Sequence, residues 1–558
     1  MDLSVISIAV SISVSLAAII SPGIVTWMNN RHQLKIKKME LLQEQFEKNT
    51  LHEREIWENY LKYTGHVVFK NKTESRQSYG EYYFKALLYA PDDIRNDMTA
   101  INYLIENDST SATNNFVFGN MPENLKKPFK WAGDHDEDAS FYNVWAPDVF
   151  WNPDYINTDG TKGAYMIYFC TSSTAVRSVI AFGVSQSIEG PFTCVDTLIY
   201  SGFTKNKPAF EGSKDTSYTN TNIPDLIKSG QIEKYDTTWS SGDSYNNSYA
   251  PNAIDPEIYY DKSGKMWMTY GSWSGGIFLL EIDENTGKVI HPKADEKNDV
   301  DAYFGKRLIG GGHVAIEGPW IEYDKEAGYY YLFVSYGSLT SDGGYQIRAF
   351  RSKKVDGPYV DMKGNTPKPD SGDESFFGLK LSGNYMLPSL EKAYKATGHN
   401  SALIDSDGKR YIVNHTRFDD GTEAHEPRVH QYLLNEDGWP CMLPYATDGE
   451  TVSEKGYDNE KIIGYYYVVD QDTTVDGEEY AETKIDTDDI NPPILFVFGK
   501  DIKGIWTVKD GTYYVTIKYD DEEFKGVFCD MKDEAGTKCM TFSAVGKNKS
   551  LWGVKYYK

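Results

Sequence analysis

AIDPEIYYDKSGKMWMTYGSW, residues 253–273, is the stretch on which the fold turns. A polar residue near its head, Asp255, is followed by a short apolar run, a turn of Asp, Ser and Gly, and an aromatic strand. The same order of features recurs in AIEGPWIEYDKEAGYYYLFVSYG (315–337), in GHNSALIDSDGKRYIVNHTRF (398–418) and, in shorter form, in WAPDVFWNPDY (145–155). Self-similarity at a period of tens of residues marks a stacked or radial repeat, and strands this short and aromatic point to the blades of a β-propeller. Three copies carry Asp255, Glu317 and His399 at the same point of the pattern, so radial symmetry aims all three at one central channel.

Outward from these copies the text stays β-rich. From about residue 108 short aromatic strands alternate with turns such as DKSGK, DENTGK and DSDGK, where Gly supplies positive φ. The strands AYMIYF, MWMTYGSW, YYYLFVSYG and RYIVNH are expected to pack the blades, which makes their rings structural first. After about residue 450 a second unit begins, with IIGYYYVVD, GIWTVKDGTYYVTIKYD and LWGVKYYK alternating as in a small antiparallel barrel. The chain therefore divides into 1–107, 108–450 and 451–558, within the range that 558 residues allow.

A formal net charge of -25 excludes nucleic acid as a partner, because phosphate binding needs a basic face. Tyr and Trp are abundant, 42 and 12 residues, and their apolar bodies with polar tips suit stacking on neutral sugars. The five cysteines, Cys170, Cys194, Cys441, Cys529 and Cys539, have no CxxC spacing and indicate neither a zinc site nor a disulfide framework. Cys529 and Cys539 could pair across a hairpin, but buried thiols are the simpler reading.

The N-terminal segment differs in character. Residues 3–28 are apolar and long enough to cross a bilayer at roughly 20 residues. Arg31, Lys35, Lys37 and Lys38 follow, which by the positive-inside tendency puts the C-terminal side in the cytoplasm. A charged helix is expected from Gln33 to about residue 62. Residues 1–107 are similar to small single-span membrane proteins of Gram-positive bacteria, a resemblance with no chemistry attached.

Glycosidic hydrolysis needs an acid for the departing oxygen and a carboxylate that activates water or attacks the sugar. Glu317 sits beside Gly318 and Pro319, which fix its backbone, and beside the apolar Ile316 and Trp320, whose desolvating effect favours a protonated acid. Asp255 is its counterpart one repeat earlier.

WAPDV, NAIDPEIYYD, MWMTYGSWSGG, EGPWI, GHNSALI and NHTRFDDGTEAHEPRVHQ resemble the glycoside hydrolase family 43 arabinanases. The resemblance implies an all-β, five-bladed propeller with a C-terminal β-barrel. It also implies inverting cleavage of α-1,5-linked L-arabinofuranose chains, in arabinan or arabino-oligosaccharides. By motif, Glu317 matches the general acid and Asp255 the carboxylate that tunes and orients it. His399 matches the histidine that holds a calcium ion on the propeller axis, largely through waters, since Ca²⁺ prefers oxygen. Trp145, Asp148, Trp273 and Ser274 are candidate substrate contacts. His415, His425 and His430 fit no zinc spacing and are read as strand and loop residues near the channel rim.

In this family the general base is an Asp in an HDP-like motif ahead of WAPDV, and this chain has none. Four repeats stand where five are expected, and the membrane-like segment occupies the place of the first, with a junction near 107–115. Asp134 and Asp136 in WAGDHDEDA are weak substitutes. The sequence thus predicts an arabinanase of impaired turnover. Alternatives are a membrane-tethered arabinan-binding protein and an exo-acting arabinofuranosidase or xylosidase. An arabinanase is expected outside the cell, against the orientation that the basic flank implies.

Overall fold

A computed structural model describes residues 126–133, 143–172, 176–208, 213–369, 371, 376–387, 389–390, 392–473, 494–498, 506–519 and 522–556. The expected span at 3–28, the charged helix after it, the junction at 107–115, and Asp134 and Asp136 all lie outside these residues. The chain divides into two compact units, 1–115 and 116–558, and every described residue belongs to the second. No helix among the described residues is long and apolar enough to cross a membrane.

Each of the four sequence repeats opens an antiparallel sheet whose strands follow one another in chain order. The first sheet holds β1 (Asn143–Ile156), β2 (Lys162–Ser172), β3 (Ser178–Ser185) and β4 (Thr193–Tyr200). In the second, β5 (Glu257–Tyr260), β6 (Met266–Tyr270), β7 (Ile277–Ile282) and β8 (Gly305–Ile309) are joined by two-residue strands at the margins. The third is β9 (Ile316–Asp324), β10 (Tyr329–Tyr336), β11 (Gln346–Ser352) and β12 (Leu379–Ser382). The fourth is β13 (Tyr394–Ile404), β14 (Arg410–Phe418), β15 (His425–Leu434) and β16 (Pro440–Met442). The first strands, β1, β5, β9 and β13, converge on a narrow bore of about 450 Å³ lined by residues 146–148, 255–257, 318–320 and 399–401.

At the bore each chain segment bends in the same way. Ala146, Asp255, Gly318 and His399 have φ of 38°, 57°, 56° and 46°, and the register of β1, β9 and β13 slips at this point. Three of the four are followed by Pro, which cannot donate to a ladder and so tolerates the break. The shared position is therefore held by Gly318 in the third sheet, and Glu317 stands one residue before it. This corrects the expectation that Glu317, Asp255 and His399 are equivalent: Gly takes the left-handed backbone at no steric cost, and its missing side chain hides the match.

Aromatic rings fill the spaces between sheets, as their alternation predicts. Tyr168 stacks on Phe182 at 5.3 Å and donates to the carbonyl of Gly287 in the second sheet at 2.7 Å. Ile277 and Leu308 of the second sheet meet Val334 and Tyr336 of the third. On the open flank of the first sheet Trp145, Val149 and Trp151 are 40–46% exposed, and on the fourth Leu403 and Val429 are also exposed. The fifth blade that the family resemblance implies has no counterpart among the described residues.

The C-terminal strands, β17 (Gly464–Gln471), β18 (Ile494–Phe498), β19 (Trp506–Val508), β20 (Tyr514–Tyr519), β21 (Glu522–Lys532), β22 (Lys538–Gly546) and β23 (Lys549–Tyr556), form a barrel-like seven-stranded sheet in the order β18-β17-β23-β22-β21-β20-β19. Its interior is packed by Tyr466, Phe524, Phe528 and Phe542. Cys529 and Cys539 are buried free thiols, as are the other three cysteines.

Candidate active site

Above the bore the inner strands end in a cleft of about 710 Å³, on whose wall Glu317 stands half-buried. Tyr345 donates to Glu317 Oε1 at 2.6 Å, and Ser272 donates to Oε2 at 2.9 Å. Asp255, 7% exposed, accepts the backbone N–H of Gly318 at 3.1 Å. That amide belongs to the peptide directly after Glu317, so one carboxylate anchors the backbone of the other.

Both acids are pushed towards their neutral forms. Burial raises the pKa of Glu317, and the charge of Asp255 raises it further, against the hydrogen bonds from Tyr345 and Ser272 and the charge of His399. Burial likewise raises Asp255, opposed by His399 and the Gly318 amide. Two neighbouring acids do not both ionise readily, so the charge of Asp255 favours the protonated form of Glu317. Such a pair can supply a proton to a departing oxygen.

The loop from Gly271 to Gly276 carries Ser272, Trp273 and Ser274 into the cleft wall between β6 and β7. Trp273 and Ser274 have φ of 47° and 36°, strained for residues with side chains. The strain is held by hydrogen bonds from Trp273 N to Ile316 O at 2.7 Å and from His313 N to Ser274 O at 2.9 Å. Trp145, 44% exposed, faces the same space from β1. The structure thus brings Glu317, Asp255, Trp145, Trp273, Ser274 and His399 to one cleft.

Asp148 is not among them. It lines the bore below, where it accepts the Ile258 N–H at 2.7 Å and ties β1 to β5, and burial raises its pKa to about 6. The cause is the bend at Ala146, after which the chain descends along the bore wall.

His399 stands where cleft and bore meet, its backbone N–H donating to Ser335 Oγ at 2.7 Å. Beneath it the bore wall holds the carboxyl of Glu257, pushed well up in pKa by burial and met by the Ile321 backbone N–H, and Oδ1 of Asn414, buried without a hydrogen-bond partner. These are hard oxygen donors of the kind calcium takes. No three His, Cys, Asp or Glu side chains converge on one point among the described residues. The donor set fits a cation whose shell is mostly water.

The three later histidines separate. His415 and His425 line the cleft, with rings 5.6 Å apart, and burial lowers the pKa of His415 to about 4. His430 is elsewhere: it is buried against Trp552 of the barrel, with Nδ1 2.8 Å from the carbonyl of Leu443. Strand alternation separates them, since His425 and His430 are five positions apart on β15 and face opposite sides. Tyr345 escaped sequence reasoning because it lies in a loop outside every repeat, flagged only by the glycines before it.

A model of glycosyl hydrolases family 43 matches residues 225–440, and one of a C-terminal lipocalin-like domain matches 444–553. An extracellular endo-alpha-(1->5)-L-arabinanase of Thermotoga petrophila is 34% identical over 464 residues, covering 79% of this chain and 84% of that protein. Extracellular endo-alpha-(1->5)-L-arabinanase 2 of Bacillus subtilis is 34% identical over 464 residues, 80% of this chain and 85% of its own. Among solved structures, the Thermotoga petrophila endo-1,5-alpha-L-arabinanase superposes with a TM-score of 0.62 at 33% identity, covering 80% of this chain and 89% of that one. A family 43 protein of Bacillus licheniformis gives 0.61 at 30% identity, over 79% and 88%.

Proposed function

The chain belongs to glycoside hydrolase family 43, and from that premise we propose that it hydrolyses α-1,5-linked L-arabinofuranose chains with Glu317 as general acid. One observation carries the reading: Glu317 is held by Tyr345 and Ser272 at the wall of a sugar-sized cleft, its peptide anchored by the raised-pKa Asp255. The proton on Glu317 passes to the glycosidic oxygen as the C–O bond breaks and its electron pair leaves with that oxygen. Water attacks from the opposite face, with inversion; the base that takes its proton is not among the described carboxylates of the cleft wall. Asp255 keeps Glu317 protonated and aimed. Trp145 and Trp273 offer apolar faces to the furanose rings, and Ser274 a hydroxyl. The natural substrate on this reading is plant arabinan or its oligosaccharides, met outside the cell, with residues 3–28 as a membrane tether. The three-part division at about 107 and 450 belongs to the same reading.

His399 would hold calcium at the mouth of the bore, with waters bridging to Glu257 and Asn414. The ion would supply fixed positive charge beside the two acids. His399 itself places an imidazole there.

Assay on linear arabinan tests the activity. Glu317→Gln is expected to lower kcat by about 10²–10⁴-fold, the usual effect of one acid–base group, and equal rates for the two proteins would refute the assignment. A second reading rests on a specific observation: Asp255 and Glu317 are the only carboxylates among the described residues of the cleft wall. A cleft without a base binds arabino-oligosaccharides and does not cut them. Calorimetric binding without product release would favour that non-catalytic role, and release of single arabinose units would favour exo action.

A further inference from the structure

We propose that Tyr345 is a positioning residue that selects which oxygen of Glu317 carries the transferable proton; this rests on the reading of Glu317 as the general acid. Ser335 Oγ accepts from the His399 N–H and hydrogen-bonds the phenol oxygen of Tyr345, whose own O–H is directed at Oε1 at 2.6 Å; Oε1 then acts as the acceptor and the acidic hydrogen resides on Oε2. Oε2 lies 2.9 Å from Ser272 Oγ, whose hydroxyl rotates to accept that hydrogen while the acid is protonated and to donate once it has left. The proton is thereby fixed on one edge of the carboxyl. Without the phenol nothing holds the hydrogen off Oε1, and Ser272 at Oε2 is left as its only guide.

The ring that carries this hydroxyl is clamped. On one face it stacks on the imidazole of His415, with centroids 5.5 Å apart and planes 18° from parallel. It also presses on Gly398, the cross-strand partner of His415, where an added Cβ would lie 2.2 Å from Tyr345 Cδ1. The tyrosine is 1% exposed, and its hydroxyl is its only hydrogen-bonding group. Gly398 thus serves as a seat for the ring, and His415 as its cover. None of the three lies in the repeat position that brings Asp255 and His399 to the bore.

The test compares two substrates in Tyr345→Phe. Linear α-1,5-arabinan has an alkoxide leaving group that needs protonation. A 2,4-dinitrophenyl α-arabino-oligoside has one that departs without it. The variant is expected to lose about 10- to 100-fold in kcat on arabinan, the worth of one hydrogen bond to a group that becomes charged as the proton leaves, with KM and kcat on the dinitrophenyl substrate within about twofold of the parent and the melting temperature lowered by a few degrees at most. Equal losses on both substrates, or no loss on arabinan, overturn the role. Glu317→Gln in the same assay keeps the two ideas apart. If it discriminates between the substrates and Tyr345→Phe does not, only the role of Tyr345 falls; if it does not discriminate, or the parent turns over neither substrate, the acid assignment falls and takes Tyr345 with it. Should Tyr345→Phe fold poorly, Gly398→Ala displaces the ring and is read in the same way.

Discussion

Glu317 and Glu322 stand on one strand, β9, and burial serves them differently. For Glu317 a raised pKa is useful. Glu322 faces no cleft, yet burial and the charge of Asp324 raise its pKa to about 7 from 4.5. A carboxyl that binds its proton more tightly in the folded chain stabilises the fold fully below its unfolded pKa, and that stability is lost as pH rises through about 7. The loss amounts to at most about 3 kcal/mol. Glu322→Gln is therefore expected to melt higher than the parent at pH 8 and alike at pH 4. Thermal unfolding followed by circular dichroism across that range checks it, and parallel curves would contradict it. Nearby Asp324 works in the opposite sense: Arg410 grips it at 2.5 Å, and this with backbone donors from Glu326 and Ala327 keeps its pKa low.

The recurring segment that opens each sheet was the most legible element of the chain. Its bend was not read, although Ala146-Pro147, Asp255-Pro256 and Gly318-Pro319 mark it by the proline and His399-Asn400 continues the series by position. Hairpin turns and aromatic second strands were equally readable, since turn chemistry and alternation are local. The offset of Glu317 was not, because φ at Gly318 is a tertiary outcome that no side chain records. Neither was Tyr345, 28 positions from the acid it contacts and joined to it only by folding. Asp148 was named with Trp145 on the family resemblance of WAPDV, and the slipped register after Trp145 places it on the bore wall. If four bends share one cation, its removal should loosen all of them together. Chelation by EGTA is expected to lower the melting temperature, excess Ca²⁺ to restore it, and His399→Ala to abolish the response; a melt indifferent to both reagents would exclude the ion.

The barrel is continuous with the sheets around the bore. Trp552 and Val527 share a core with Tyr331, Ile347 and Ile412 of the third and fourth sheets. Asn548 donates to Asp361 Oδ2 at 2.7 Å, accepts from Met362 N at 3.0 Å through its side chain, and accepts from Lys380 N at 2.9 Å through its carbonyl. Ser550 donates to the carbonyl of Lys380 at 2.5 Å. Removing residues 451–558 would strip partners from buried polar groups, each costing about 1–3 kcal/mol, and would bare an apolar wall. The truncated chain is expected to be insoluble or to melt many degrees lower, and the full chain to melt in one transition by calorimetry. Two separate transitions would mean that the barrel is a detachable module.

The single-position slip at Glu317 carries a wider consequence. Along three of the four bends the residue before the left-handed position (Trp145, Ile254, Glu317) meets the cleft, along all four the two after it meet the bore, and the position itself borders both except at Gly318. Four copies of one socket thus offer distinct outlets, and symmetry is broken by moving a carboxylate a single step along the chain. Exchanging the order of Glu317 and Gly318 would leave composition and strand length untouched and would turn the acid from the substrate towards the axis. In such a scaffold, where chemistry occurs is encoded by indexing along a shared curve, and new pockets are open to it without any new fold.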